Sequence, residues 1–251
     1  MTSQPGTYQE LQRRWKALRS RDLILSEVDF GEGSLLHVAI GDPLRPVVAL
    51  SAGIHGDEPA TPWALLELVE GGALDARFAY RIWPCLNPTG FDAGTRENKN
   101  GLDLNRTFDG EGDSPEARAV LAADRNRSFA LSLDLHEDYD AAGFYCYEYG
   151  GGTIGRRVIS ALDALGLPVD ALDTTLELAG PLRDDTCERE RGRLVANHVE
   201  EAALLGGVSY SLALARGAAR HVLTFETPSL APWEERLVAH RAGMVAAIGT
   251  L

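Results

Sequence analysis

VVALSAGIHGDEPATP, residues 47–62, runs from an apolar β-rich segment through a Gly-punctuated turn into the start of a helix. His55 and Glu58 sit in that turn, three positions apart and directly after a segment that reads as a buried strand. A histidine and a carboxylate at this spacing, one in the turn and one at a helix entrance, can converge on a single cation. They are read here as two of three zinc ligands. Standing alone, H-x-x-E is also the pattern of a solvated loop histidine and a glutamate favoured by the helix macrodipole. The rest of the chain has to decide between the two.

At 251 residues the chain is long enough for one large α/β domain with a substantial core, and no linker divides residues 1–251. With 45% hydrophobic and 24% charged residues it falls within ordinary globular usage. Lys and Arg number 24 against 37 Asp and Glu, a formal net charge of −13, which disfavours binding to nucleic-acid phosphates or anionic membranes. The first twenty residues carry no apolar signal-peptide core, and nowhere do eighteen apolar residues run together. A cytoplasmic protein is the expectation. Cys85, Cys146 and Cys187 are too few and too far apart for a disulfide framework and read as buried free thiols.

In chain order, Tyr8 to Arg19 carries Leu11, Trp15 and Leu18 at helical spacing. Leu23 to Asp29 and Leu35 to Ile40 predict a hairpin around Gly31 to Gly33, with His37 a half-buried strand histidine. Val47 to Leu50 is apolar on both faces, as expected in mid-sheet. Pro59 suits the first helical position, where its missing N–H costs nothing, and the helix then runs to Gly71. Phe78 to Pro84 is the next strand, completing a βαβ unit. Ligands in open α/β sheets collect at the carboxyl ends of such strands.

Asn87 to Asp113 shows little apolar periodicity and reads as a long polar loop, a kind usually functional or disordered. Arg96, Asn105 and Arg106 within it offer donors suited to carboxylates and oxyanions. The alternative is a surface loop with solvated arginines.

Taken together, IHGDE at 54–58, NPTGF at 87–91 and GTRENKNGLDLNRTF at 94–108 resemble the zinc carboxypeptidase superfamily, peptidase family M14. Its pattern is H-x-x-E, an upstream Arg, then G-(V/L)-D-x-N-R-x-F. The succinylglutamate desuccinylase and aspartoacylase branch of that superfamily resembles this chain in HG-x-E and DLNR. The remaining elements follow in the family's order: LSLDLHEDYD predicts a strand ending at His136, and Ala219 to Pro228 a strand ending at Glu226.

The resemblance implies one zinc ion held by His55, Glu58 and His136, a set that leaves an open position, as catalytic zinc requires. It implies Asp103 as the carboxylate that orients the first histidine, and Glu226 as general base and acid. Arg96 would stabilise the oxyanion, and Asn105 and Arg106 would hold a substrate carboxylate. Tyr210 lies where the digestive carboxypeptidases keep a mobile tyrosine, but no motif surrounds it. Asp134 and Glu137 flank His136 as candidate outer partners, and which of them points inward stays open.

Elsewhere, Tyr145, Tyr147 and Tyr149 read as sheet packing on one face, and DDTCERERGR as solvated loop and helix surface. His198 and His240 read as exposed helix histidines. The fold expected is a three-layer α/β/α domain with a mixed, mainly parallel sheet, zinc carboxypeptidase-like. The expected function is zinc-dependent hydrolysis of an amide bond in a small peptide with a free carboxylate. An N-acyl amino acid deacylase is the alternative, disfavoured because only about 25 residues follow Glu226 and that branch usually carries a further β-domain. A noncatalytic zinc-containing binding module is the remaining one. Oligomeric state is not readable.

Overall fold

The computed structural model describes residues 6–19, 22–110, 114–150, 152–172, 188–196 and 206–251. In chain order the elements are α1 (Tyr8–Ala17), β1 (Leu23–Asp29), β2 (Ser34–Ile40), β3 (Val47–Ser51), α2 (Ala60–Glu70), β4 (Ala79–Trp83) and α3 (Pro88–Ala93). There follow α4 (Pro115–Asp124), β5 (Leu131–Asp138), β6 (Tyr145–Tyr149), α5 (Ile154–Ala164), β7 (Glu188–Glu190) and β8 (Arg193–Ala196). The chain closes with α6 (Tyr210–Ala215), β9 (Val222–Pro228) and α7 (Trp233–Gly249).

Among the described residues the strands form one sheet in the order β1-β2-β4-β3-β5-β9-β6-β8-β7. Its centre, β4-β3-β5-β9, is parallel, and antiparallel pairs bring in β2 on one side and β6 on the other. Helices α1, α2, α5 and α7 pack on one face, and α4 and α6 on the other, so the architecture is the three-layer, carboxypeptidase-like α/β fold expected.

Alternation along β5 sorts its side chains between these layers. Leu131, Leu133 and Leu135 enter the core under α2, α5 and α7, each fully buried and each stabilising by roughly 1.5–3 kcal/mol. Ser132, Asp134 and His136 are directed to the opposite face and are buried as well. A strand with polar residues on a buried face must satisfy them, and that demand builds the site.

Local chemistry places the two motifs that meet there. Asn87 caps α3, its Oδ1 accepting the Gly90 N–H at 2.9 Å, with Pro88 in the first turn. Gly56 and Gly90 then touch backbone to backbone: a Cβ on Gly56 would fall 1.9 Å from the Gly90 carbonyl carbon. Only glycine permits IHGDE to lie against NPTGF. Ser114 caps α4 in the same fashion, accepting the Ala117 N–H at 3.1 Å.

Several expectations need correction. The described part of the stretch, 87–110, is not a featureless loop: it holds α3 and a 3₁₀ turn at Leu104–Arg106, short elements whose caps carry more signal than any period. Helix α2 starts one residue later than read, with Pro59 as its capping residue. His136 lies inside β5, two residues short of its end. Within the charged run Glu188–Glu190 form strand β7, and the run's last residue, Arg193, opens β8 and is buried against Glu148, whose carboxylate also accepts the Ile154 N–H at 2.9 Å. His240 is not on the surface: it is fully buried, its Nε2 3.0 Å from Thr227 Oγ1. Cys85 and Cys146 are buried free thiols, while Cys187 and His198 lie outside the described residues.

Candidate active site

Three buried side chains converge where β3 and β5 end. His55 and Glu58 come from the turn after β3, and His136 comes from β5. One donor atom from each lies within 4.8 Å of the others. His55 Nδ1 is 2.5 Å from Glu58 Oε1, His136 Nδ1 is 2.9 Å from Glu58 Oε2, and the two Nδ1 atoms are 3.2 Å apart. Glu58 Oε2 is nevertheless buried without an aligned hydrogen-bond partner.

The outer nitrogen of each ring faces an acid. His55 Nε2 is 3.2 Å from Asp103 Oδ1, and His136 Nε2 is 3.2 Å from Asp134 Oδ2. With a cation in place these partners would hold the outer N–H of each ring and turn both Nδ1 atoms inward as acceptors, the tautomer that carboxylate partners impose on metal-binding imidazoles. An orphaned carboxylate oxygen between two inward nitrogens fits a divalent cation with nitrogen and oxygen ligands.

In the metal-free chain, protons on the imidazoles stand in for a cation. Burial opposes ionisation of Glu58, but the flanking His55 and His136 outweigh it and hold its acid below the usual carboxylate range. Burial likewise disfavours charge on His136, yet Glu58 and Asp134 drive its pKa well above that of an ordinary histidine. Burial would raise Asp103 too, and His55, Arg96 and Arg106 together pull it far down. The site is thus built of carboxylates that stay charged and need cations.

Arg96 reaches this centre from the 94–103 segment. Its Nε lies 3.1 Å from Asp103 Oδ2, which fixes the guanidinium, and its Nη1 lies 3.3 Å from His55 Nδ1 and 3.9 Å from Glu58 Oε1. Asp103 therefore orients both the first histidine and the arginine. Arg106 stands on the far side of Asp103, Nη1 at 4.0 Å, and donates from the same nitrogen to the Asn105 carbonyl at 2.9 Å. Asn105 turns its Oδ1 to the Tyr210 N–H at 3.0 Å, so its side chain ties the segment to α6.

Glu226 of β9 is the register partner of His136 in the parallel pair with β5 and of Tyr145 in the antiparallel pair with β6. Burial pushes its acid well above the usual range, Glu58 and Asp138 add to the rise, and His136 and Arg96 oppose it. Tyr145 donates to Asp138 Oδ2 at 2.7 Å beside it.

Tyr210 is held away from the centre. Its ring packs 5.0 Å from Phe108, its hydroxyl donates to Asp124 at 3.1 Å, and the side chain is fully enclosed. Asp124, which also takes the Trp83 indole N–H at 3.0 Å, claims that hydroxyl. Conversely, Asp134 was left open by the sequence and belongs to the site, with Ser51 Oγ donating to its Oδ1 at 2.6 Å. The readable signal was its i, i+2 relation to His136 on a strand, which puts both on one face.

The layered sheet and the ligand-like triad put this chain in the M14 carboxypeptidase superfamily. The profile of the succinylglutamate desuccinylase/aspartoacylase catalytic domain matches residues 45–170, half of the 251 residues, and the chain belongs to that family. Carboxypeptidase SOL1 of Arabidopsis thaliana is 29% identical over 120 residues, covering 40% of this chain and 24% of that protein. The chain thus spans about a quarter of that relative's length. A solved structure from Shewanella amazonensis SB2B, provisionally named a metallopeptidase, superposes with a TM-score of 0.72 at 25% identity, covering 96% of this chain and 89% of the other. A metallo-carboxypeptidase from Burkholderia cenocepacia shares the fold with a TM-score of 0.69 at 21% identity, over 98% of this chain and 69% of its own. Among the described residues, no helix is long and apolar enough to cross a membrane.

Proposed function

We propose that the chain is a zinc-dependent hydrolase of amide bonds, of metallocarboxypeptidase type, acting on a small peptide with a free carboxylate. The observation that carries this reading is the triad of inward donors, His55 Nδ1, His136 Nδ1 and Glu58, with each imidazole backed by a carboxylate. His55, Glu58 and His136 would hold one zinc ion per chain. Bound there, zinc would supply a Lewis acid that makes water a nucleophile near neutral pH.

Glu226 is the base that takes the proton from attacking water and the acid that returns it to the leaving nitrogen. Its register with His136 puts it one strand away from the centre, where a divalent charge would favour its carboxylate form. Arg96, braced by Asp103, directs guanidinium N–H groups to the oxygen on which charge develops. Arg106 offers its remaining donors to the substrate's free carboxylate. Asn105, whose carbonyl oxygen is engaged by Tyr210, contributes through its amide nitrogen. Tyr210 has no part in this reading.

A second reading, removal of an acyl group from an N-acyl amino acid, is favoured by the family to which the chain belongs. Both readings use the same centre and a substrate carboxylate. The test is metal content of the purified parent and Glu226→Gln proteins, each assayed by mass spectrometry against free-C-terminal peptides, murein peptides and N-acyl amino acids. Cleavage by the parent only, with about one zinc in both proteins, supports the hydrolase and identifies the substrate. Failure to bind metal after zinc is supplied would overturn the ligand set.

A further inference from the structure

Behind the candidate centre, on the face of β5 opposite His136, Glu137 is buried with both oxygens engaged. Its Oε2 accepts the Ala60 N–H at 2.9 Å, and its Oε1 accepts from Arg236 Nη1 at 2.8 Å. Ala60 opens α2, two residues after Glu58. A carboxylate adjacent in sequence to one candidate ligand thus grips the backbone that carries another.

The grip is reinforced from two sides. The Thr61 hydroxyl donates to the Glu58 carbonyl at 3.0 Å and accepts the Gly53 N–H at 3.1 Å, closing the turn on itself. From α7, Arg236 and His240 stand one helical turn apart on one face. Arg236 holds Glu137 of β5, and His240 holds Thr227 of β9, the register partner of Glu137. Thr227 follows Glu226 just as Glu137 follows His136, so α7 fastens both strands immediately beyond their functional residues.

A buried ion pair roughly breaks even in stability against well-packed apolar residues. The pair is therefore poorly explained by stability alone, whereas its contact with Ala60 has a geometric consequence. We infer that Glu137, held by Arg236, is a positioning residue that sets the distance and angle between Glu58 and His136, and with them the affinity and geometry of the metal centre. This rests on the hydrolase reading above.

The test compares the full chain with a Glu137→Met/Arg236→Met double variant, with Arg236→Gln and with Glu137→Gln. Zinc dissociation constants come from competition with a chromophoric chelator, and centre geometry from the visible spectrum of the cobalt(II)-loaded proteins. Thermal unfolding of the metal-free proteins reports the fold separately. The double variant is expected to bind zinc roughly 10–100-fold more weakly, with altered cobalt bands, as for loss of other groups that orient ligands. Arg236→Gln, the milder change, is expected to weaken zinc by about fivefold or more on the same ground and serves if the double variant does not fold. Glu137→Gln keeps an acceptor for the Ala60 N–H and is expected to stay within about threefold of the parent. Parent-like affinity and cobalt spectra in both Arg236 variants, whatever their melting temperatures, would overturn the inference and leave the hydrolase reading intact. Equal weakening in Glu137→Gln would overturn the role of the Ala60 contact. A parent that binds no zinc would overturn the hydrolase reading and this inference together.

Discussion

The Nδ1 atoms of His55 and His136 face each other at 3.2 Å, each with its opposite nitrogen against a carboxylate. Two ring nitrogens aimed at one carboxylate at that separation need positive charge between them, which protons supply only in part and a divalent cation supplies fully. Metal should therefore stabilise the fold. Zinc at a hundredfold excess over its dissociation constant should add about 2.7 kcal/mol. Thermal unfolding with and without a chelator measures this, and a His55→Ala variant should show no zinc-dependent shift.

Glu226→Gln should retain metal and lose turnover by roughly 10²–10⁴-fold, the range for a positioned proton carrier. Metal analysis beside steady-state kinetics separates this from loss of the centre. A variant that retained near-parent kcat would remove Glu226 from the reaction.

Arg96→Met should lower kcat by about 10²–10³-fold with a small change in KM, as for loss of one oxyanion donor. Arg96→Lys should rescue little. Nε and Nη2 both lie against Asp103 Oδ2, at 3.1 and 3.0 Å, while Nη1 faces His55 and the substrate, a fork that one ammonium cannot reproduce.

Gly56→Ala should fail to fold or lose at least about 3 kcal/mol, since the added methyl meets backbone rather than a movable side chain. Denaturant unfolding would register it. Gly94→Ala is a useful contrast, because nothing lies within 4 Å of its Cβ position and only its φ of +65° opposes the change.

Two buried histidines set a pH dependence. Burial, then Arg81 and Arg127 against the opposing Asp124, lowers His37 to about 4, and burial lowers His240 to about 3. The unfolded chain binds these protons near pH 6.5 and the folded chain does not, so the stability these two rings contribute is full above pH 6.5 and falls as pH drops toward 4. Each ring contributes up to about 1.4 kcal/mol per pH unit in that window. Glu137 and Glu226, pushed up by burial, act with the opposite sign over the same range, so urea unfolding of the metal-free protein at pH 7, 5.5 and 4.5 should show the histidine contribution as a parent-minus-His37→Gln difference that shrinks as pH falls.

Much of the centre was legible before any coordinates. His55, Glu58 and His136 are announced by a short spacing and a family order, and the central strands by apolar runs that only a covered sheet explains. What resisted reading was direction. Asp134 and Glu137 flank His136 alike in the sequence, yet one backs the imidazole and the other grips α2 from behind. Tyr210 and His240 looked mobile and exposed because their own segments show no partner. Asp124 and Thr227, distant in the chain or on another element, supply them.

The sequence by itself determined which residue types are present, their order, and the alternation that makes β3 and β5 central. Those are local matters of propensity and spacing. Tertiary structure alone decided which ring nitrogens turn inward, which carboxylate orients which imidazole, and that Gly56 must touch Gly90. Such facts depend on how separate elements meet, and burial makes each meeting obligatory because a polar group taken from water must find its partner.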